Sequence, residues 1–104
     1  MSTIPPDIRQ RIVDDFGEDH AVEIYDYLLA KIPEGLANGT RPRHLRCILF
    51  LAKGDRKKLD VYIDMCLCDT RDVMLAAEYV TVEGSGFVRQ RDFSQPFANC
   101  NLPQ

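Results

Sequence analysis

At 104 residues, with 45% apolar and 28% charged side chains, the chain is long enough for one ordinary core and lies far from disordered or membrane compositions. A formal charge of -3 and a pI near 5.3 argue against a typical basic nucleic-acid domain, and the longest apolar run, CILFLA at 47–52, is too short to cross a bilayer. The opening MSTIPPDIRQ has neither a basic start nor an apolar stretch, so no secretory signal is expected, the location is expected to be cytoplasmic, and the four cysteines are expected as thiols.

Five helices are predicted. The first opens at Pro5-Pro6, whose rings suit a first turn, carries Ile8, Ile12 and Phe16 at four-residue spacing and stops at Gly17. Asp15-Phe16-Gly17 spells the kinase metal-binding triplet, but none of the other kinase motifs accompanies it. The second is expected to be capped by Asp19, with Ala21, Ile24, Tyr25, Leu28 and Ile32 in one stripe. Pro33 and Gly35 end it, and PEGLANGT reads as a loop, in which Asn38-Gly39-Thr40 is a turn rather than a used glycosylation site.

Thr40 is placed to cap the third helix, with Pro42 in its first turn and Gly54 closing it. Its apolar residues run nearly all the way round, which implies a central helix. Asp55 is expected to cap the fourth, and Asp69 with Asp72 to open the fifth, whose stripe is Val73, Ala76, Ala77 and Val80. From Val80, VTVEGSGFVRQRDF places β-branched and aromatic residues on both sides of Gly-Ser-Gly, which permits a small hairpin. Phe87, Phe93 and Phe97 are expected to anchor this tail to the helices, and an ordered tail would explain the charged pair Arg91-Asp92 beside Phe93. The fold class is therefore all-α: residues 1–80 as a five-helix domain around the third and fourth helices, and 81–104 as an extended or hairpin tail packed on it.

Three features compete as sites. Cys66 and Cys68 form a Cys-x-Cys, but on a helix they are about 200° apart and cannot converge on one ion. Cys66 falls in the stripe Leu59, Tyr62, Ile63, and Cys68 joins Val61 and Met65 on a second apolar flank, so both flanks are expected to be packed, with Cys66 more enclosed than Cys68. His44 and Cys47, at i and i+3 on the third helix, can meet as half of a zinc site or as an imidazole–thiol pair. The other half of such a site, drawn from Cys100, Cys68 or His20, has no recognisable ligand spacing, so no metal or cofactor is expected.

The third feature is charge. Residues 41–58 carry 7 bases and one acid, between segments 1–40 (8 acids, 3 bases) and 59–80 (5 acids, 1 base). Arg41, Arg43, Arg46, Lys53, Arg56 and Lys57 are the candidate partner- or anion-binding residues, with Arg43, Arg46 and Lys53 on one side of the third helix around Phe50. Arg41 and Arg43 also stand at a helix N-terminus, where the dipole disfavours cations, and this conflict calls for a compensating anion. The acidic helices of the same chain are the nearest source. In a helix-turn-helix reading of helices three and four, the recognition helix would be the fourth, whose apolar surface and Asp60/Asp64 suit a groove poorly. Asp14/Asp15 and Asp60/Asp64 have the spacing of solvated surface charge, and Tyr25, Tyr27, Tyr62 and Tyr79 that of core-edge residues.

The blocks LRCILFLAKGD, YID, TRDVMLAAEY and RQRDF, between residues 45 and about 97, resemble a group of small bacterial proteins of about this length. The resemblance implies a bacterial single-domain protein and assigns a role to no residue. No phosphate loop, nucleophile elbow or HExxH is present, so no catalytic residue is nominated. The function expected by elimination is a protein–protein interaction module: an adaptor, an immunity-like or antitoxin-like inhibitor, or a subunit. The alternatives are nucleic-acid binding through 41–58 and thiol or metal chemistry at His44 and Cys47.

Overall fold

The computed structural model describes residues 5–33, 41–84 and 86–102. Among these are five helices, α1 (Pro6–Phe16), α2 (Glu18–Lys31), α3 (Arg41–Ala52), α4 (Arg56–Cys68) and α5 (Thr70–Glu78), then an antiparallel hairpin of β1 (Tyr79–Val82) and β2 (Gly86–Arg89) and a turn of 3-10 helix at Phe97–Asn99. The fold is thus mostly helical with a small hairpin near the C-terminus. The loop at 34–40 and the Thr40 cap lie outside the described residues. No helix among the described residues is long and apolar enough to cross a membrane.

Local chemistry explains most of the boundaries. Gly17 takes φ 91°, a conformation that costs a residue with a Cβ, and it serves as both the C-cap of α1 and the N-cap residue of α2. Asp19, expected as that cap, lies inside the first turn instead: with Gly17 turning the chain so sharply, the cap falls two residues earlier and α2 starts at Glu18. Asp55 caps α4 by accepting from the Lys57 and Lys58 amides, and Asp69 caps α5 by accepting from Arg71. Between α3 and α4 the chain turns on Lys53 (φ 51°) and Gly54 (φ 81°). A Cβ on Gly54 would come within 3.0 Å of the Asp15 carbonyl oxygen, so this corner presses against the end of α1.

α3 is the centre. It buries every residue from His44 to Leu49, and Ala52, with α1, α4 and α5 packed around it. Each fully buried Ile or Leu side chain contributes roughly 1.5–3 kcal/mol. The expectation that α4 shares the centre is corrected. Leu59, Ile63 and Cys66 are buried, but Val61 is 58% exposed and Cys68 is exposed. One side of α4 meets α3 and α5, and the second apolar flank has no helix laid over it among the described residues. In α5 only Val73, Ala77 and Glu78 are buried; Ala76 is exposed and Val80 belongs to β1.

Candidate functional site

α3 presents Arg43 and Arg46 at i and i+3, one turn apart on one face, and each finds a carboxylate in its own chain. Arg43 forks onto Glu78, with Nε 3.0 Å from Oε2 and Nη2 donating to Oε1. Arg46 forks onto Asp7, with Nε 2.8 Å from Oδ2 and Nη2 3.0 Å from Oδ1. Two-point geometry of this kind makes the strongest hydrogen-bonded ion pairs.

Both carboxylates also hold the tail. Glu78, completely buried, accepts the Phe93 amide at 2.8 Å and Arg89 Nη2 at 3.3 Å, and its own carbonyl accepts the amides of Gln90 and Arg91. Asp7 accepts the Phe97 amide, while the remaining Arg46 nitrogen donates to the Phe93 carbonyl. Burial pushes the Asp7 carboxyl up; the Arg46 hydrogen bonds, the Phe97 amide and the Arg46 charge more than offset it and leave it below its ordinary value. Phe93 is fully buried between these two latches, 5.2 Å from the Phe50 ring and 5.7 Å from the Phe97 ring, with Arg91 over Phe50 and Arg11 over Phe97. Asp92 anchors the same turn through Ser94 and Arg89, and its amide donates to the Cys100 carbonyl.

The N-terminal conflict in α3 is resolved inside the chain. Arg41 donates to the carbonyls of Leu29 and Ile32, at 2.9 Å each, at the C-terminal end of α2. Arg43 pairs with Glu78, the last residue of α5, where a carboxylate is disfavoured by that helix's dipole. Two charges on the wrong ends of their helices thus satisfy one another. Of the other candidates, Arg56 stacks on Tyr27 with its guanidinium carbon 4.1 Å from the ring centroid, beside the Tyr27–Asp60 hydrogen bond, and Lys53 and Lys57 are exposed. Glu78 and Asp7 were not nominated from sequence. For Glu78 the available signal was the kind that flagged Arg43, a charge at the disfavoured end of a helix; Asp7, in the first turn of α1, is well placed there and carried no such signal.

His44 and Cys47 are both fully buried. Burial, and then the Arg43 charge, pulls the imidazole down, while burial and the Glu78 charge push the thiol well up. Those directions oppose an activated thiolate. The Cys66 thiol is likewise raised by burial, to about 11. Among the described residues no group of three His, Cys, Asp or Glu is placed to hold a metal ion. A cleft of about 420 Å³ runs along α5 past Arg71, Leu75 and Tyr79, and both its arginines are already paired, as Arg43–Glu78 and Arg71–Asp69.

The hairpin is different. Its base is half-buried, whereas Phe87 is 64% exposed and Val82 38% exposed near the turn. Phe87 was expected to be an anchor like Phe93. It fails to be one because it sits one pair from the hairpin turn, where both strands are exposed, so the ring has no core to reach. No family model, curated protein or solved structure matches this chain.

Proposed function

We propose that this chain acts by binding another protein, as an adaptor, an inhibitor of the immunity type or a subunit, and that the C-terminal hairpin is its contact element. The observation that carries this reading is the exposed Phe87 on a hairpin whose base is clamped by the Glu78 hub. A large aromatic ring held on a pre-ordered element binds with little loss of conformational entropy, and such rings are frequent anchors of interfaces. The nucleic-acid reading is weaker on the same grounds, since Arg41, Arg43 and Arg46 have internal partners and Arg56 lies on Tyr27. Lys53, Lys57 and Lys58 are exposed, on a stretch of chain that also exposes Asp55, Asp60 and Asp64. A reducing, cytoplasmic setting fits four cysteines that are all free thiols.

The test is affinity capture from lysate of the source cell with wild type, Phe87→Ser and, as a control at another exposed apolar site, Val61→Ser. A stoichiometric protein that is retained by wild type and Val61→Ser but lost with Phe87→Ser is the expected result. No such protein, or equal capture by all three baits, would count against the hairpin. Salt-sensitive recovery of nucleic acid in place of protein would favour the alternative.

A further inference from the structure

We infer that the outer edge of β1 pairs with β1 of a second copy of this chain, joining two hairpins into one four-stranded antiparallel sheet. The inference deepens the reading above and rests on the hairpin being the contact element.

The edge is open at Thr81, whereas the outward Tyr79 amide is already taken by the Leu75 carbonyl of α5. Gln90 donates its amide to the Glu78 carbonyl, so counting along the antiparallel register Val80 and Val82 turn their backbone groups toward β2, and Thr81 turns its amide and carbonyl outward. Among the described residues no backbone group outside the hairpin bonds to Thr81, and its side chain is exposed. On the β2 side the C-terminal segment occupies the base of the hairpin, just beyond the strand, where Arg91 bridges to Asn101 and the Leu102 amide donates to Gln90. Monomeric proteins guard a free edge with lysine, proline or a bulge. The strand Tyr79-Val80-Thr81-Val82 has no charge and no proline, and its register with β2 is unbroken. A two-stranded hairpin is also marginal alone and gains from further strands.

The chemistry of this edge suits its own copy. In a two-fold antiparallel pairing centred on Thr81, Thr81 meets Thr81 of the second copy and exchanges both backbone hydrogen bonds with it. Val80 then lies opposite Val82 of the second copy, and Tyr79 opposite its Glu83. No like charges meet across the axis. The one acid, Glu83, falls beside the uncharged Tyr79. Thr81 and Phe87 are cross-strand partners on one face, so the sheet carries both Phe87 rings on that face, three strand spacings or roughly 14 Å apart. The dimer therefore offers a partner protein two aromatic anchors in one row.

Sedimentation velocity of the purified protein over a wide concentration range reads this directly, without any partner. Wild type should pass from monomer to dimer as concentration rises. Thr81→Lys and Thr81→Glu should each be monomeric, because like charges then face each other on the axis, and an equimolar mixture of the two should dimerise. Thr81→Pro, which removes the outward amide and leaves the β2 ladder intact, should also be monomeric. Wild type that stays monomeric at every concentration, a dimer that survives Thr81→Lys and Thr81→Pro, or charge variants that fail to rescue each other would overturn the pairing. The Phe87→Ser capture result is independent of these outcomes, so failure of the dimer and failure of the interaction reading are told apart.

Discussion

The base of the hairpin and its tip, a few residues apart, are stabilised by opposite means. At the base, Glu78 has no exposed surface and accepts from Arg43, Arg89 and the Phe93 amide, and Phe93 is enclosed by Phe50 and Phe97. At the tip, Phe87 has most of its ring in water and Thr81 presents an unpaired edge. Two phenylalanines six residues apart thus have opposite relations to the fold. Stability is concentrated where the chain leaves α5, and the exposed tip lies where stability asks for nothing. Such a division lets the tip change without loss of the scaffold.

That contrast is open to direct tests, the largest expected effect first. Glu78→Ala leaves the Arg43 fork and the Phe93 amide without their acceptor, and should cost roughly 3–5 kcal/mol in urea unfolding, as removal of one partner of a buried ion pair does. Phe93→Ala should cost a similar amount through the cavity it leaves, roughly 3–5 kcal/mol. Cys100, 5% exposed and donating its S–H to the Phe97 carbonyl, reports on the same region. In native wild type Cys68 should label quickly with a thiol reagent and Cys47, Cys66 and Cys100 slowly, and Glu78→Ala should speed Cys100. A loss below about 1 kcal/mol with unchanged Cys100 labelling would mean that the base is not clamped by this carboxylate.

Next comes the second latch. Because Asp7 is held below its ordinary value in the fold, the stability it supplies is fully present above the unfolded carboxylate range, near 4, and is lost as pH falls through the lowered folded value. Asp7→Asn should therefore lower stability by about 2 kcal/mol at neutral pH, the scale of hydrogen bonds to a charged group, and the gap to wild type should close in acid. A gap that is constant with pH would sink the assignment of that energy to the ionised carboxylate. The smallest effect is expected at the tip: Phe87→Ala should leave stability within about 0.5 kcal/mol of wild type. If it instead costs as much as Phe93→Ala, base and tip are one packed unit and the comparison dissolves.

Much of the helical architecture was legible from residue order. Pro5-Pro6, Gly17, Asp55, Asp69 and the apolar periodicities are local signals, acting within one or two turns, and they place the starts of α1, α4 and α5, the end of α1 and the core faces of α1, α2 and α3. The candidate basic residues were legible as a cluster, but their partners were not. Arg43 reaches an acid 35 residues away and Arg46 one 39 away, and nothing in local chemistry selects those two from 16 acids. The cysteine pair was half legible: helical geometry separates Cys66 from Cys68, yet whether a second apolar flank is covered depends on how many helices arrive there.

Sequence alone determined the class of the fold, the helical turn points, the hairpin around Gly-Ser-Gly and the enclosure of Cys66, because backbone preference and periodic burial are properties of neighbouring residues. Tertiary structure alone decided which apolar residues are anchors and which are bare, and which charges are already neutralised. Phe87 and Phe93 are the same residue in similar surroundings along the chain. They differ only because Glu78, at the end of α5, draws the backbone at Phe93 into the core and lets the hairpin carry Phe87 away from it.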